Sequence, residues 1–477
     1  MYKKDVLDEF ILFSDVSDDA AVGYASTLRN AGEKAGSSLW ISFQRAMLSG
    51  VGSEKISATY WQNHICALVG ASDNPFSRAA EKGVYAGLYG LTDVDRVAAA
   101  TELLTESSAG LLRLASAELA RIKERYDWGF GRSTDDIASI MASPGLDPVS
   151  RRQLVHEALT AKDDLVSAAM LASYYRSYGA GALEAYDSYY WDDGFVGVGV
   201  GTKDRIRFDD LIGLERQTGE LRENTEFLLR GLPASNMLLY GDAGSGKSSS
   251  LKALAAEYAD RGLKLVAIPK ARISELPKAL DAASERGLKF IFFVDDLSFE
   301  EGESAYKSFK SVVEGGVSAR PGNVVICVTS NRRNIVKEVW KDREHQDDVH
   351  LRDNIQEKRS LADRFGLTIV YSAPDKDEYL AIVTALAEKA GLTGQGGGEG
   401  GEDELKAASL TWAVRHGGRS GRTARQFIDY RVSRDAARGG SSNDGPGGQG
   451  GASGSGPDSG LGGQGGASSD AHSITRG

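Results

Sequence analysis

The sequence predicts an α/β protein: a parallel sheet of five short strands between two helical layers, with helical regions before and after it. Three observations carry this. From about residue 206, short apolar runs alternate with longer amphipathic stretches, the pattern of strands joined by helical crossovers. Before residue 200 the apolar residues recur at helical spacing instead. Residues 439–477 are dominated by Gly and Ser and carry almost no large apolar side chains, so they cannot offset the entropy of ordering and are expected to be disordered.

In the N-terminal region Leu111, Leu114, Ala115, Leu119 and Ile122 form an apolar stripe that ends before Tyr126. A second helical stretch covers Arg151 to Tyr178. An aromatic segment follows, with Tyr186, Tyr189, Tyr190, Trp191 and Phe195, and gives way to Gly194, Gly197, Gly199 and Gly201, read as a hinge or hairpin. Acidic residues surround these rings, so packing between domains, or a protein-binding face, is a better reading than stacking on nucleic acid. The strands are expected at Met237–Tyr240, Leu263–Ile268, Phe290–Val294, Val324–Val328 and Leu367–Val370, each apolar on both faces. After Pro374 the chain turns helical, is interrupted by a glycine-acid run at 394–404, and resumes to about Arg438. The tail repeats Gly447-Gly448-Gln449-Gly450-Gly451-Ala452-Ser453 at 462–468.

A formal net charge of -11 argues against a chain built to coat nucleic acid. The two cysteines, Cys66 and Cys327, lack metal-site spacing and make a disulfide framework improbable. No apolar run approaches the ~18 residues of a membrane helix, and the acidic N-terminal residues do not suit a leader, so a cytoplasmic location is expected.

The chemistry concentrates after the first strand. Gly241-Asp242-Ala243-Gly244-Ser245-Gly246-Lys247-Ser248, with Ser249 opening a helix, is a complete phosphate-binding loop. Its glycines let consecutive N–H groups and a helix N-terminus face negative charge. Lys247 would reach the β- and γ-phosphates, and the Ser248 hydroxyl would ligate Mg²⁺. The third strand ends in Asp295-Asp296, where ligands sit in open α/β sheets. Asp295 would hold the cation, and Asp296 would orient or deprotonate water. Asn331, after the fourth strand, can hydrogen-bond a phosphate or that water. His345, Asp347, Asp348 and His350 suggest a metal, but the dense mixed charge around them reads better as a solvated loop.

Residues 206–438 resemble the AAA+ ATPase superfamily. Asp209-Asp210-Leu211-Ile212-Gly213 is similar to its adenine-lining segment, which brings Leu211, Ile212 and Gly213 into the site. Asn331 falls at its sensor-1 position. Leu361-Ala362-Asp363-Arg364-Phe365-Gly366 resembles its arginine-finger box, with Arg364 leading and Arg359, Arg332 and Arg333 behind it. Gly421-Arg422 resembles sensor 2, with Arg419 and Arg425 as alternatives. Asp296 stands where that superfamily usually has Glu. The strings Asn224-Thr225-Glu226-Phe227-Leu228, Asp295 to Gly302, Thr329-Ser330-Asn331-Arg332-Arg333 and Gly418-Arg419-Ser420-Gly421-Arg422 resemble, more narrowly, the bacterial domain-of-unknown-function family 815.

The chain pattern gives an N-terminal helical domain (1–200) and the tail (439–477), and the resemblance implies an AAA+ core (206–375) and a helical lid (376–438) between them. It also implies ATP and Mg²⁺ at a subunit interface of a homo-oligomer, with Arg364 supplied in trans. The expected client is a protein, which the N-terminal domain would engage. A nucleic-acid loader and a switch with little turnover are the rival readings.

Overall fold

The computed structural model describes residues 60–88, 91–126, 151–198, 206–297, 304–313, 320–331, 364–392 and 399–439, with a few positions between 12 and 27. The charged run holding His345, Asp347, Asp348 and His350, the arginines Arg332, Arg333 and Arg359, and the tail from 440 lie outside the described residues. The chain divides into two compact units, Met1–Asp429 and Tyr430–Gly477.

The N-terminal part of the first unit contains helices α1 (Tyr60–Ala71), α2 (Pro75–Glu81), α3 (Val94–Thr101), α4 (Glu106–Tyr126), α5 (Arg151–Thr160) and α6 (Asp164–Tyr178). Of the stripe expected on α4, Ala115, Leu119 and Ile122 are fully buried in a core shared with α1, α5 and α6, whereas Leu111 and Leu114 are only half-buried against it and Leu112, outside the expected stripe, is fully buried. The helical stretch expected from Arg151 to Tyr178 is present as two helices. Asp163 breaks it, because its carboxylate accepts the N–H groups of Leu165 (2.8 Å) and Val166 (3.1 Å) and caps a new helix.

The sheet has seven strands rather than five: β1 (Ser188–Trp191), β2 (Phe195–Gly197), β3 (Met237–Gly241), β4 (Leu263–Ala267), β5 (Lys289–Val294), β6 (Val324–Ser330) and β7 (Leu367–Tyr371). Their order is β2-β1-β4-β5-β6-β3-β7, parallel except for the β1–β2 hairpin. The five expected strands are all present. The two extra ones come from the aromatic segment, which the sequence reading placed in the helical domain ending at 200. Its hairpin turns at Asp192–Gly194, and β1 extends the sheet by pairing in parallel with β4.

Period-two alternation explains why the sheet sits between two layers. Phe290, Phe292 and Val294 of β5, with Val324, Ile326 and Val328 of β6, pack with helices α9 (Leu276–Ser284) and α10 (Ser304–Val313). Ile291, Phe293, Val325 and Cys327 pack on the other face with α7 (Glu215–Leu229) and α8 (Lys247–Glu257). Each large side chain buried this way contributes about 1.5–3 kcal/mol.

The cap is built from α11 (Lys376–Lys389), α12 (Glu399–Arg415) and α13 (Gly421–Gly439), and Tyr379, Val383, Ala413, Phe427 and Ile428 form its core. Asp375 and Glu378 make a reciprocal capping box at the start of α11. The acidic end of the 394–404 run is helical: α12 begins at Glu399, six residues before the expected Leu405.

The helical region is fastened to the edge of the sheet by buried polar contacts. Glu81 is fully buried and takes a bidentate ion pair from Arg286, which is 8% exposed. Arg286 also donates to Ala180 O (2.8 Å), and Arg176 donates to Glu81 O (2.7 Å). Gly287 approaches so closely that a Cβ there would lie 2.1 Å from the carbonyl carbon of Glu81. Lys264 of β4 is fully buried and donates to Tyr186 O (2.8 Å). Burial and then the nearby Arg151 push its ammonium down to about 7, against the pull of Asp187, Glu184 and Glu81.

Breaking one half of the Glu81–Arg286 pair leaves a buried charge without compensation. Glu81→Ala should therefore cost about 3–5 kcal/mol in urea denaturation, while Arg222→Ala, which breaks an exposed pair with Glu257, should cost under about 1 kcal/mol. Equal costs would contradict this account of the junction.

Candidate nucleotide-binding cleft

The site is assembled at the C-terminal edge of the sheet. Gly241 ends β3 opposite Tyr371 of β7. Its φ is 144° and a Cβ there would sit 1.8 Å from Tyr371 O, so only glycine fits. The next residue locks the loop root onto the same strand end. Asp242 N donates to Tyr371 O (3.0 Å), and the Asp242 carboxylate accepts from Ala373 N (2.8 Å). Ser245 Oγ closes the loop from within by donating to Asp242 O (2.7 Å).

Lys247 and Ser248 open α8 beneath this loop and meet the acids at the end of β5. Lys247 Nζ donates to Gly241 O and Asp242 O (both 2.8 Å) and to Asn331 Oδ1 (3.1 Å). Asn331 Nδ2 donates to Asp296 Oδ1 (2.8 Å), which fixes the orientation of that amide. Ser248 Oγ donates to Asp295 Oδ1 (2.7 Å). Thr329 Oγ1 donates to the same oxygen (2.6 Å) and accepts from Asp296 N (2.8 Å). The result is a closed circuit through Lys247, Asn331, Asp296, Thr329, Asp295 and Ser248. Asp296 occupies the left-handed region (φ 48°), which aspartate tolerates better than most residues. Burial holds the Lys247 ammonium below its ordinary value, an effect that Asp296, Asp242 and Asp295 oppose and Arg422 reinforces.

These groups line one end of a cleft of about 780 Å³. Its other end is apolar: Leu211, Ile212 and Leu214 face Ile382 and Leu386 of α11. Gly213 and the loop residues Ala243, Gly244, Ser245, Gly246 and Ser249 also border the cleft, while Gly241 and Asp242 form its root. On the cap side, Ser420 and Thr423 cap α13 reciprocally (2.9 and 3.1 Å) and set Arg422 against the loop. A Cβ on Gly244 would lie 3.2 Å from Arg422 Cβ. Lys389 of α11 ties the cap to the pre-loop segment, donating to Asp209 O and Asp210 Oδ1 (both 2.7 Å).

Lys247, Ser248, Asp295, Asp296, Asn331 and Arg422 therefore come together as expected. Arg364 does not join them. It is exposed and precedes β7 at the opposite edge of the sheet, and a five-residue strand sets these edges about 16 Å apart. The sequence reading gave no role to Thr329, although its place two residues before Asn331 on a buried strand fixes its side chain near the acids. It also missed Ile382 and Leu386, which look like ordinary helix-core positions until the cap is folded over.

Among the described residues there is no cluster of three or more His, Cys, Asp or Glu suited to a resident metal. Ser248 and Asp295 offer two hard oxygen donors side by side, which fits Mg²⁺ arriving with phosphates rather than a caged ion. No described helix is long and apolar enough to cross a membrane. Gly241→Ala should destabilise the protein by about 3 kcal/mol or more, because β7 must move away from the new methyl group. A thermal midpoint matching wild type would refute the close approach.

The family model described as "Protein of unknown function (DUF815)" matches residues 184–435. No curated protein matches the chain. Among solved structures, a point mutant of RuvB from Thermotoga maritima is 15% identical with a TM-score of 0.33, over 49% of this chain and 67% of that one. The RuvB Holliday junction branch migration motor of the same organism is 14% identical with a TM-score of 0.27, over 47% and 72%. These likenesses are too slight to carry an argument about function. The family match spans more than half of the 477 residues, and the protein belongs to the DUF815 family.

Proposed function

We propose that this chain binds and hydrolyses ATP in the cleft at the C-terminal edge of its sheet, and that Arg364 of a second copy completes the site. The observation that carries the reading is the closed circuit joining Lys247 and Ser248 to Asp295, Asp296 and Asn331. A phosphate loop alone would support nucleotide binding. The carboxylates held beside it, aligned by Asn331 and Thr329, support chemistry on the bound phosphate.

In this reading Lys247 transfers its hydrogen bonds from the loop carbonyls to phosphate oxygens, and the purine enters the slot between Leu211–Ile212 and Ile382–Leu386. Water attacks the γ-phosphorus, the bond to the β–γ bridging oxygen breaks, and ADP departs with that oxygen. Asp296 accepts the water's proton while Asn331 orients the attack. Mg²⁺ held by Ser248, with Asp295 beside it, would supply charge neutralisation on the phosphates. The sheet edge that carries Arg364 lies opposite its own cleft, which favours its use by a neighbouring copy. The client is proposed to be a protein bound by the helical region, since a net charge of -11 does not suit a nucleic-acid track.

Lys247→Ala should abolish measurable binding of a fluorescent ATP analogue. Arg364→Ala should retain affinity within about threefold but lose ~10³-fold or more in steady-state turnover. Mixing these two inactive variants should restore partial turnover, because each supplies what the other lacks. Full activity of Lys247→Ala would overturn the site, and absence of complementation would overturn the shared interface.

A further inference from the structure

One face of α13 is buried in the cap core through Ala424, Phe427 and Ile428, while Arg422, Arg425, Gln426 and Asp429 line the cleft. The spacing of these four puts them in a stripe along one side of the helix. Arg422 stands at the phosphate-loop end, against Gly244, and its charge reaches Lys247. Arg425 is one turn on, about 4.5 Å further along the axis. Its charge reaches Asp210, next to the apolar slot formed by Leu211 and Ile212.

Neither arginine forms an ion pair among the described residues. Asp210 does not capture Arg425, because its two oxygens accept from Lys389 Nζ (2.7 Å) and Arg207 N (2.8 Å). Burial would raise the Asp210 carboxyl, but those hydrogen bonds and the charges of Lys389 and Arg425 hold it below its usual value, so it stays an anion committed to the lysine. Arg425 thus offers a planar set of donors to the cleft, one helical turn beyond Arg422 and toward Asp210.

We infer that Arg425 is a second nucleotide-positioning residue, which grips the α-phosphate while Arg422 faces the terminal phosphates. The inference rests on the reading of the cleft as an ATP site. It divides labour along the helix: Arg422 distinguishes triphosphate from diphosphate, and Arg425 binds both alike. Because both side chains belong to the cap, a bound diphosphate would still hold the cap down after the terminal phosphate has gone.

The test is calorimetric binding of ATP and ADP to the full chain and its variants. Arg425→Ala should weaken ATP and ADP equally, by about tenfold each, leaving their affinity ratio and the thermal midpoint of nucleotide-free protein unchanged. Arg425→Lys, which keeps the charge but loses the fork, should recover part of the loss. Arg422→Ala should shift the ratio against ATP. If Arg425→Ala binds ADP within twofold of wild type, or loses ATP alone, the assignment of Arg425 is overturned. Lys247→Ala serves as the reference. Normal ADP binding by Lys247→Ala would instead overturn the nucleotide-site reading on which the inference rests.

Discussion

The register in which β3 pairs with β6 on one side and β7 on the other is the constraint on which the cleft depends. Met237 lies opposite both Cys327 and Leu367, and Tyr240 lies opposite Ser330 and Val370. This alignment places the phosphate loop, Asn331 and the anchoring carbonyl of Tyr371 at one level. The pairing of Val294 with Val328 brings Asp295 and Asp296 to the same level. Side chains alternate across a strand, so a one-residue slip would turn Phe292 and Ile326 to the wrong layer and remove Thr329 from Asp295. Core packing and the geometry of the site are therefore enforced by the same pairing.

Electrostatic balance follows from that placement. Burial of the Lys247 ammonium is costly on its own, and three aspartates within its field offset much of that cost. The aspartates are in turn held by neutral donors: Ser248 and Thr329 on Asp295, and Asn331 on Asp296. No single partner neutralises the lysine, whose ammonium is held by two loop carbonyls and the Asn331 amide oxygen. The cap adds Arg422 and Arg425 from above without pairing either to an acid among the described residues. The polar end of the cleft is thereby biased toward anions, while its apolar end has no uncommitted charge at Asp210.

The other edge of the sheet obeys a different logic. The β1–β2 hairpin, clasped by Trp191 to Glu275 (3.1 Å) and by ion pairs of Asp192 with Arg272 and Asp193 with Lys278, continues the sheet past β4. Behind it, Glu81, Arg286 and Lys264 carry charge into buried surroundings. Such groups contribute little net stability compared with apolar packing, but they admit few alternative geometries. The helical region is thus held against the core in one defined arrangement by groups that would be strongly penalised in any other.

Local pattern was enough to read much of this protein. The apolar runs at 237–240, 290–294 and 324–328 read as buried parallel strands, and the glycine spacing from 241 to 246 reads as a tight turn between strand and helix. The carboxylates of Asp295 and Asp296 declared themselves because a buried strand ends at them. These features are written within a few consecutive residues, where period and residue type suffice. What the fold alone decided depends on residues far apart in the chain. The aromatic segment at 188–197 became two sheet strands because β4 offered an unpaired edge, a fact absent from its own composition. Thr329 acquired its contacts from the β5–β6 register. That Arg425 lines the cleft together with Arg422 emerged only when α13 was laid along it, because helical spacing tells which residues share a face but not what that face will meet.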